Sequence, residues 1–485
     1  MERLTFNPGS TRREPVVVGR SSRRRGPAPV SPSPGAAPQT SRTVTRERYD
    51  WDYLWMVAFT TLLFFRPQDQ IPGVEALHLA ELTAIAGLAA MAVRRLRLGQ
   101  SVTRVNPEIV AIVALGAVIL ATAPFGIWPG GSLHVFSSIY VKIILISALM
   151  ISTISSPIRV RQMTWLMIIA STYVAARAVF DYVRGVNLVE GDRVRGAIGG
   201  MFSNPNDLAL NLVTFLAPTL IFLALDRRIS RRLLAAVCAL TMLAAIVCTK
   251  SRGGFLGLIA MGVVALYYAA KMKPGILIAV IVGGLLAVPA IPQSFWDRMD
   301  SITNAETDPT GSREARLRLL EQGIEVFVEN PITGVGAGQF ENYDDPGVTI
   351  ERWRVTHNVW LQVGAELGIV GLAIFLFLVI RAYRACFATV RLLGGGRSRR
   401  RAPPGGDTAE REILMLNAKS MIAALVGWTI CSMFAAVAFN WTFYYVLALA
   451  VCGHEIAQRQ QQPQRAAPAP AAERARPRLF GRVHA

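Results

Sequence analysis

Residues Asn330–Phe377 read NPITGVGAGQFENYDDPGVTIERWRVTHNVWLQVGAELGIVGLAIFLF. The first part is polar and punctuated by Pro331, Gly334, Gly336 and Gly338, which together form a tight turn. The last part is an apolar run introduced by Thr356-His357-Asn358. The chain here leaves an aqueous loop and enters a helix buried in a membrane. A lone histidine and a glycine-rich turn at that boundary mark a candidate site.

Working outward, the same apolar texture recurs along the whole chain. Hydrophobic residues make up 52% of the 485 residues and the mean hydropathy is +0.38. This excludes an ordinary soluble protein and predicts an all-α polytopic membrane protein. Twelve apolar blocks are legible, at about 51–65, 76–93, 108–126, 133–154, 162–180, 207–225, 233–249, 254–270, 275–291, 358–380, 413–433 and 436–452. The organisation read from them is a disordered basic tail over 1–50, then nine membrane helices over 51–291. A large polar loop with helical content follows over 292–357, then three more helices over 358–455 enclosing a basic loop at 381–412, and a second basic tail over 456–485.

Charge orients this arrangement, because short cytoplasmic loops are enriched in Lys and Arg. With the N-terminus inside, every basic connection falls on the inner side: Arg94, Arg95, Arg97 and Arg104; Arg159 and Arg161; Arg227, Arg228, Arg231 and Arg232; Lys271 and Lys273; and 381–412. Residues 292–356 carry twelve acidic and six basic residues and fall on the outer side. Both termini are therefore expected to be cytoplasmic.

The net charge of +19 is concentrated in the tails, with ten arginines in residues 1–50 and six in 456–485. These tails lack interleaved aromatics and any nucleic-acid-binding fold, so their expected partner is anionic lipid and not nucleic acid. Cys238, Cys248, Cys386, Cys431 and Cys452 lie in predicted helices or on the inner side, and neither a disulfide framework nor a zinc site is implied. No internal repeat of fixed period is found.

Chemistry is expected on the outer connections, 181–206, 292–356 and the short Lys250-Ser251-Arg252 turn. Ser312 is a candidate N-cap for a helix over 313–329, whose Leu317, Leu320, Ile324 and Phe327 fall on one stripe. Arg313 and Arg316 lie on or beside that stripe and Arg318 lies opposite. Two inward arginines at a helix N-terminus suit an anion; equally, they suit ordinary surface pairing with Glu314 or Glu321. Arg195 carries the same ambiguity. Arg252, at a hairpin tip with few residues outside the membrane, reads as functional or snorkelling. His357, with an ordinary pKa of about 6.5, suits a general base or an interfacial anchor. Asn358, Glu366 and the glycines Gly364, Gly368 and Gly371, read as points of close helix approach, surround it. Gly334-Val-Gly-Ala-Gly338 lacks the Lys-Ser/Thr of a nucleotide loop and reads as a positioning turn. Ser203-Asn-Pro-Asn-Asp207 reads as a helix-capping turn, with Asn206 or Asp207 near the cap.

Taken in order over roughly 190–380, these motifs resemble the O-antigen ligase and polymerase superfamily of bacterial inner-membrane glycosyltransferases. The matching elements are Arg195 with Gly200–Asn206; Ser251-Arg252-Gly253; Arg316 with Pro331, Gly334 and Gly336; and His357-Asn358 with Glu366, Gly368 and Gly371. Leu320 departs from the pattern, which often has Trp there. The resemblance implies a GT-C-like fold and a periplasmic active site in the inner membrane. It also implies a donor glycan on undecaprenyl pyrophosphate, and an acceptor that is lipid A-core or another glycan. By analogy, Arg195, Arg252 and Arg316 neutralise the pyrophosphate, Arg313, Asn206 and Asn358 assist in binding it, and His357 deprotonates the acceptor hydroxyl. Inversion follows, with no metal and no cofactor. Two other readings stay open: protein O-oligosaccharyl transfer, and a transporter or flippase of the same lipid-linked glycan, for which Lys142, Arg177, Glu81 and His78 are the relevant intramembrane charges.

Overall fold

The computed structural model describes residues 50–67, 70–74, 77–189, 192–197, 202–302, 312–343, 355–394 and 407–461. The expected tails lie almost wholly outside these residues, as does the centre of the basic loop. Each apolar block read from the sequence carries a helix, although the helix of the last block, 436–452, starts only at Trp441. The first helices are α1 (Trp51–Phe65), α2 (Leu79–Arg97) and α3 (Pro107–Thr122). Next, α4 (Pro129–Val135) passes through a π-helical turn into α5 (Val141–Thr153), and α6 (Pro157–Val183) follows. A two-residue hairpin, β1 (Leu188–Val189) with β2 (Arg193–Val194), precedes α7 (Pro205–Leu225). Then come α8 (Ile229–Thr249), α9 (Arg252–Met272) and α10 (Gly275–Ala287). Two helices outside the apolar blocks, α11 (Gln293–Asp300) and α12 (Ser312–Glu329), precede α13 (Val359–Gly394), α14 (Asp407–Cys431) and α15 (Trp441–Gln461).

Among the described residues, eight helical segments are long and apolar enough to cross a membrane, where the sequence reading counts twelve. The four that fall short are α1, α2, α10 and α15: α1 has 15 residues and α10 has 13, while α2 and α15 end in polar turns. Two boundaries also move. Helix α13 continues through Arg381 to Gly394, and α15 runs to Gln461, so the inner basic segments are partly helical extensions of the bundle.

Local sequence fixes several starts. Asn106-Pro107, Ser156-Pro157 and Asn204-Pro205 each place a capping side chain before a proline at the first helical position. Proline has no amide hydrogen to lose there, and the cap oxygen satisfies one of the exposed donors. Helix α7 is the hub, buried along nearly its whole length against α8, α9 and α14. On the periphery, Val237 and Leu240 of α8 and Ile259 and Val263 of α9 are exposed, as expected for a bundle solvated by lipid.

Ion pairs gather the basic ends at one end of the bundle. Arg94 pairs with Asp52 at 2.7 Å and Arg227 with Glu412 at 2.9 Å, Arg159 pairs with Asp50, and Arg104 lies 3.9 Å from Glu455. Each contact joins helix ends that strict up-and-down alternation brings together. The hairpin, the α8–α9 turn, α11, α12 and the glycine-rich turn meet at the opposite end.

Candidate active site

At that opposite end the α8–α9 turn is built around Lys250-Ser251-Arg252. Lys250 is left-handed, at φ 46°, and almost fully buried. Its ammonium donates to Ser294 Oγ at 2.8 Å and pairs with Asp192, tying α11 and the hairpin to the turn. Ser251 caps α9 by accepting from the Gly254 amide at 3.1 Å. Gly253 and Gly254 let α9 press close: a Cβ on either would lie 2.6 Å from Phe434 or Ala209, respectively. The Ser-Arg-Gly triplet is therefore a cap, a cation and a close approach in succession.

Beside it runs a buried polar relay. Ser251 Oγ donates to Asn206 Oδ1 at 2.8 Å, Arg193 Nη2 donates to the same oxygen at 3.0 Å, and Arg193 Nε donates to the Thr249 carbonyl at 3.2 Å. The cap of α7 is Asn204 and not Asn206 or Asp207, because Pro205 takes the first helical position; this releases Asn206 into the relay. Sequence reasoning chose Arg195, whose side chain is exposed and is not among those lining the cavity described below. Arg193 is the arginine carried inward. The two residues are two positions apart and indistinguishable by pattern; only the hairpin's packing against the end of α8 separates them.

The glycine-rich turn, Pro331–Gly338, docks into a break in α13. Gly368 has φ 65° and ψ −169°, a conformation essentially restricted to glycine. The groups freed by the break are satisfied from the turn. Val335 N donates to the Ala365 carbonyl at 2.9 Å, Gly336 N to the Glu366 carbonyl at 3.0 Å, and Ile369 N to the Pro331 carbonyl at 2.8 Å. Glu366, expected near His357, instead accepts from Gly338 N at 2.8 Å and is buried. Gly334 and Gly336 lie within this docked turn at positive φ, 63° and 101°. A Cβ on Gly334 would stand 2.3 Å from the Glu366 carbonyl carbon, and one on Gly336 2.5 Å from Ser132 Oγ. Gly368 is thus a helix break where the sequence reading has a helix–helix contact. In a low-dielectric bundle such a break is stabilised by pairing these freed groups with the turn.

Helix α12 presents a different face from the one predicted. Leu317, Leu320 and Ile324 are exposed, whereas Leu319, Gly323 and Val326 are buried. Gly323 marks the contact: a Cβ there would meet Leu361 of α13 at 2.4 Å. The apolar stripe misled because hydrophobicity in a membrane protein does not by itself point to the core. Phe327 alone of the predicted stripe packs inward, beside Gly364.

These elements enclose a cavity of about 270 Å³ lined by Arg252, Arg316, His357, Asn358, Ser301 and Thr356, with Leu256, Leu317, Leu320, Met433 and Phe434 among its apolar walls. The three residues expected to be catalytic come from three separated segments and share this one cavity. Arg252 is largely buried and donates to Ser301 Oγ at 3.0 Å. His357 is left-handed, at φ 48°, which fixes the direction of its imidazole from the turn rather than from a helix. Asn358 caps α13, its Oδ1 accepting from Trp360 N at 3.0 Å and Leu361 N at 3.1 Å, so its carboxamide oxygen is committed to the helix. The side chain of Arg313 lies outside those described. Among the described residues no group of three or more His, Cys, Asp or Glu is placed to hold a metal.

Lys250, Arg193 and Ser301 are the polar residues sequence reasoning missed. Lys250 carried a signal, a charge beside Arg252 in a hairpin too short to reach far into water; Ser301 carried none.

Residues 212–376 match the family model described as O-antigen ligase. The comparison with curated proteins found no match. The matched third of the chain, from α7 to the middle of α13, is similar to that family, which supports the resemblance to the O-antigen ligase and polymerase superfamily there. It holds Arg252, Arg316, His357 and the docked turn, while Arg193, Arg195 and Asn206 precede it. With eight helices among the described residues long and apolar enough to cross a membrane, the match supports reading the chain as a membrane protein similar over this region to the O-antigen ligase family.

Proposed function

We propose that the protein transfers a glycan from undecaprenyl pyrophosphate to an acceptor hydroxyl, on lipid A-core or on the next repeat unit, at the periplasmic face of the inner membrane. The observation that carries this reading is the convergence of Arg252, Arg316 and His357 on one cavity. The acceptor oxygen attacks the anomeric carbon, the bond from that carbon to the pyrophosphate oxygen breaks with inversion, and His357 receives the hydroxyl proton. Arg252 and Arg316 stabilise the charge that develops on the departing pyrophosphate, with no metal ion required. Preorganised guanidinium groups suit this task, since they stay charged and present forked donors to phosphate oxygens. The placement of the basic helix ends opposite the cavity supports a cytoplasmic location for both termini.

The transporter reading needs unpaired charge along a passage. Lys142 instead pairs with Glu81 at 3.1 Å and Arg177 with Asp181 at 3.5 Å.

The test is deletion of the gene in its host and complementation with wild type or His357→Ala, with profiling of lipopolysaccharide and undecaprenyl-linked glycans. Long polymers stranded on undecaprenyl identify a ligase; single repeat units on the core or on the lipid identify a polymerase. Full restoration by His357→Ala at normal abundance removes His357 from the chemistry. A purified activity abolished by EDTA and restored by Mg²⁺ overturns the metal-independent mechanism.

A further inference from the structure

A second cavity, of about 200 Å³, lies at the end of the bundle where the basic helix ends gather, between α6, the α7–α8 connection and the start of α14. Four arginines line it, Arg161, Arg227, Arg228 and Arg231, against two carboxylates, Asp226 and Glu412. Both carboxylates are already engaged. Asp226 is buried; its Oδ1 accepts from the Arg228 backbone amide at 2.9 Å, and its Oδ2 lies 3.5 Å from Arg231 Nη1. Glu412 takes Arg227 Nε at 2.9 Å. Among the described residues the guanidinium groups of Arg161 and Arg228 make no hydrogen bond and no ion pair. Arg161 is attracted by Asp226 but repelled by both Arg231 and Arg228. It is half-buried on a membrane-length helix, where such repulsion is screened less than at an open surface. The remaining polar lining supplies no counter-charge, since Thr164 Oγ1 donates to Asn417 Oδ1 at 3.3 Å and Asn417 Nδ2 to the Leu449 carbonyl at 3.1 Å. The connection 395–406, which leads into α14, has four arginines and no acid, so the adjoining sequence adds positive charge only.

We propose that this cavity binds a phosphate group, held by Arg161 and Arg228. A lone exposed arginine is satisfied by water, but an excess of two guanidinium groups over carboxylates on one cavity wall selects an anion, and their planar forked donors match phosphate oxygens. The volume is below that of sites enclosing whole drug-sized ligands, which suits a single phosphate, free or as the head of a lipid in the adjoining leaflet. The site lies opposite the arginine–histidine cavity and does not depend on the transfer chemistry proposed there.

The experiment titrates the full-length protein in detergent with inorganic phosphate, by calorimetry, and with phosphatidylglycerol against phosphatidylcholine of matched chains, by native mass spectrometry. Binding of inorganic phosphate identifies a soluble ligand; selective retention of phosphatidylglycerol that added phosphate does not displace identifies a lipid head group. In either arm Arg161→Gln and Arg228→Gln should each raise the apparent Kd roughly tenfold, the worth of about one charge-assisted hydrogen bond. Glu412→Gln, which keeps both arginines and releases Arg227, should lower it. Melting temperatures report folding separately, and the two arginine variants should melt no lower than wild type in ligand-free buffer, because each removes a repelled charge. The proposal is overturned if wild type binds neither probe, if both arginine variants bind as wild type does, or if Glu412→Gln weakens binding.

Discussion

The docked glycine turn and the arginine–histidine cavity sit at the same end of the bundle and come from neighbouring motifs, yet they are built on opposite terms. In the turn, backbone meets backbone, with amides of Val335, Gly336 and Ile369 paired to carbonyls across the break and no space for a methyl group at Gly334 or Gly368. In the cavity, side chains from α9, α12 and the turn before α13 border about 270 Å³ of open volume. The contrast teaches that motifs adjacent in sequence divide into those that hold geometry and those that present charge. Substitution should separate them by what is lost, fold or activity.

The largest effect is expected at Gly368→Ala. Alanine is excluded from its backbone conformation, and the added Cβ would lie 2.3 Å from the Ile332 carbonyl oxygen. Strain and overpacking together should cost about 4 kcal/mol, read as a large fall in the thermal midpoint of the protein in detergent. A wild-type midpoint would mean that the break in α13 is dispensable.

Arg252→Lys should do the reverse. It keeps the charge but loses the planar fork, and should reduce transfer by roughly a hundredfold while the melting temperature shifts little. If activity persists in a reconstituted transfer assay, the guanidinium is not on the leaving group.

The smallest effect sharpens the boundary between the two regions, because Asn358 belongs to both: it caps α13 and borders the cavity. Asn358→Ala should cost about 1 kcal/mol as a lost cap, whereas Asn358→Asp should retain the cap. If Asn358 also contacts a pyrophosphate, the aspartate variant will melt normally and transfer poorly through charge repulsion. Normal activity in Asn358→Asp would restrict the residue to capping.

Much of this was legible before any coordinates. Hydropathy marked the apolar helices, though not α11 or α12, and the ordered motifs named Arg252, Arg316, His357 and Asn358, which do share a cavity. What misled was every judgement needing to know what lies across a surface. The stripe of α12 was chosen by hydrophobicity, but its contact with α13 runs through Gly323, the residue with least hydrophobic signal. Arg195 was chosen by its place in the family pattern, and the hairpin instead buries Arg193, two positions away. Glu366 was placed with His357 by proximity along a helix, and the helix breaks so that its carboxylate meets Gly338.

The sequence by itself determined that this chain is a helical membrane protein with basic ends gathered on one side. It also placed the candidate site residues in the connections on the other side. These follow from transfer free energies and charge placement, which are properties of each segment alone. Tertiary structure decided which arginine turns inward, which face of α12 packs, and that two glycine motifs are halves of one joint. Those outcomes depend on pairing backbone groups and fitting small residues between segments far apart in the chain, and no local pattern encodes them.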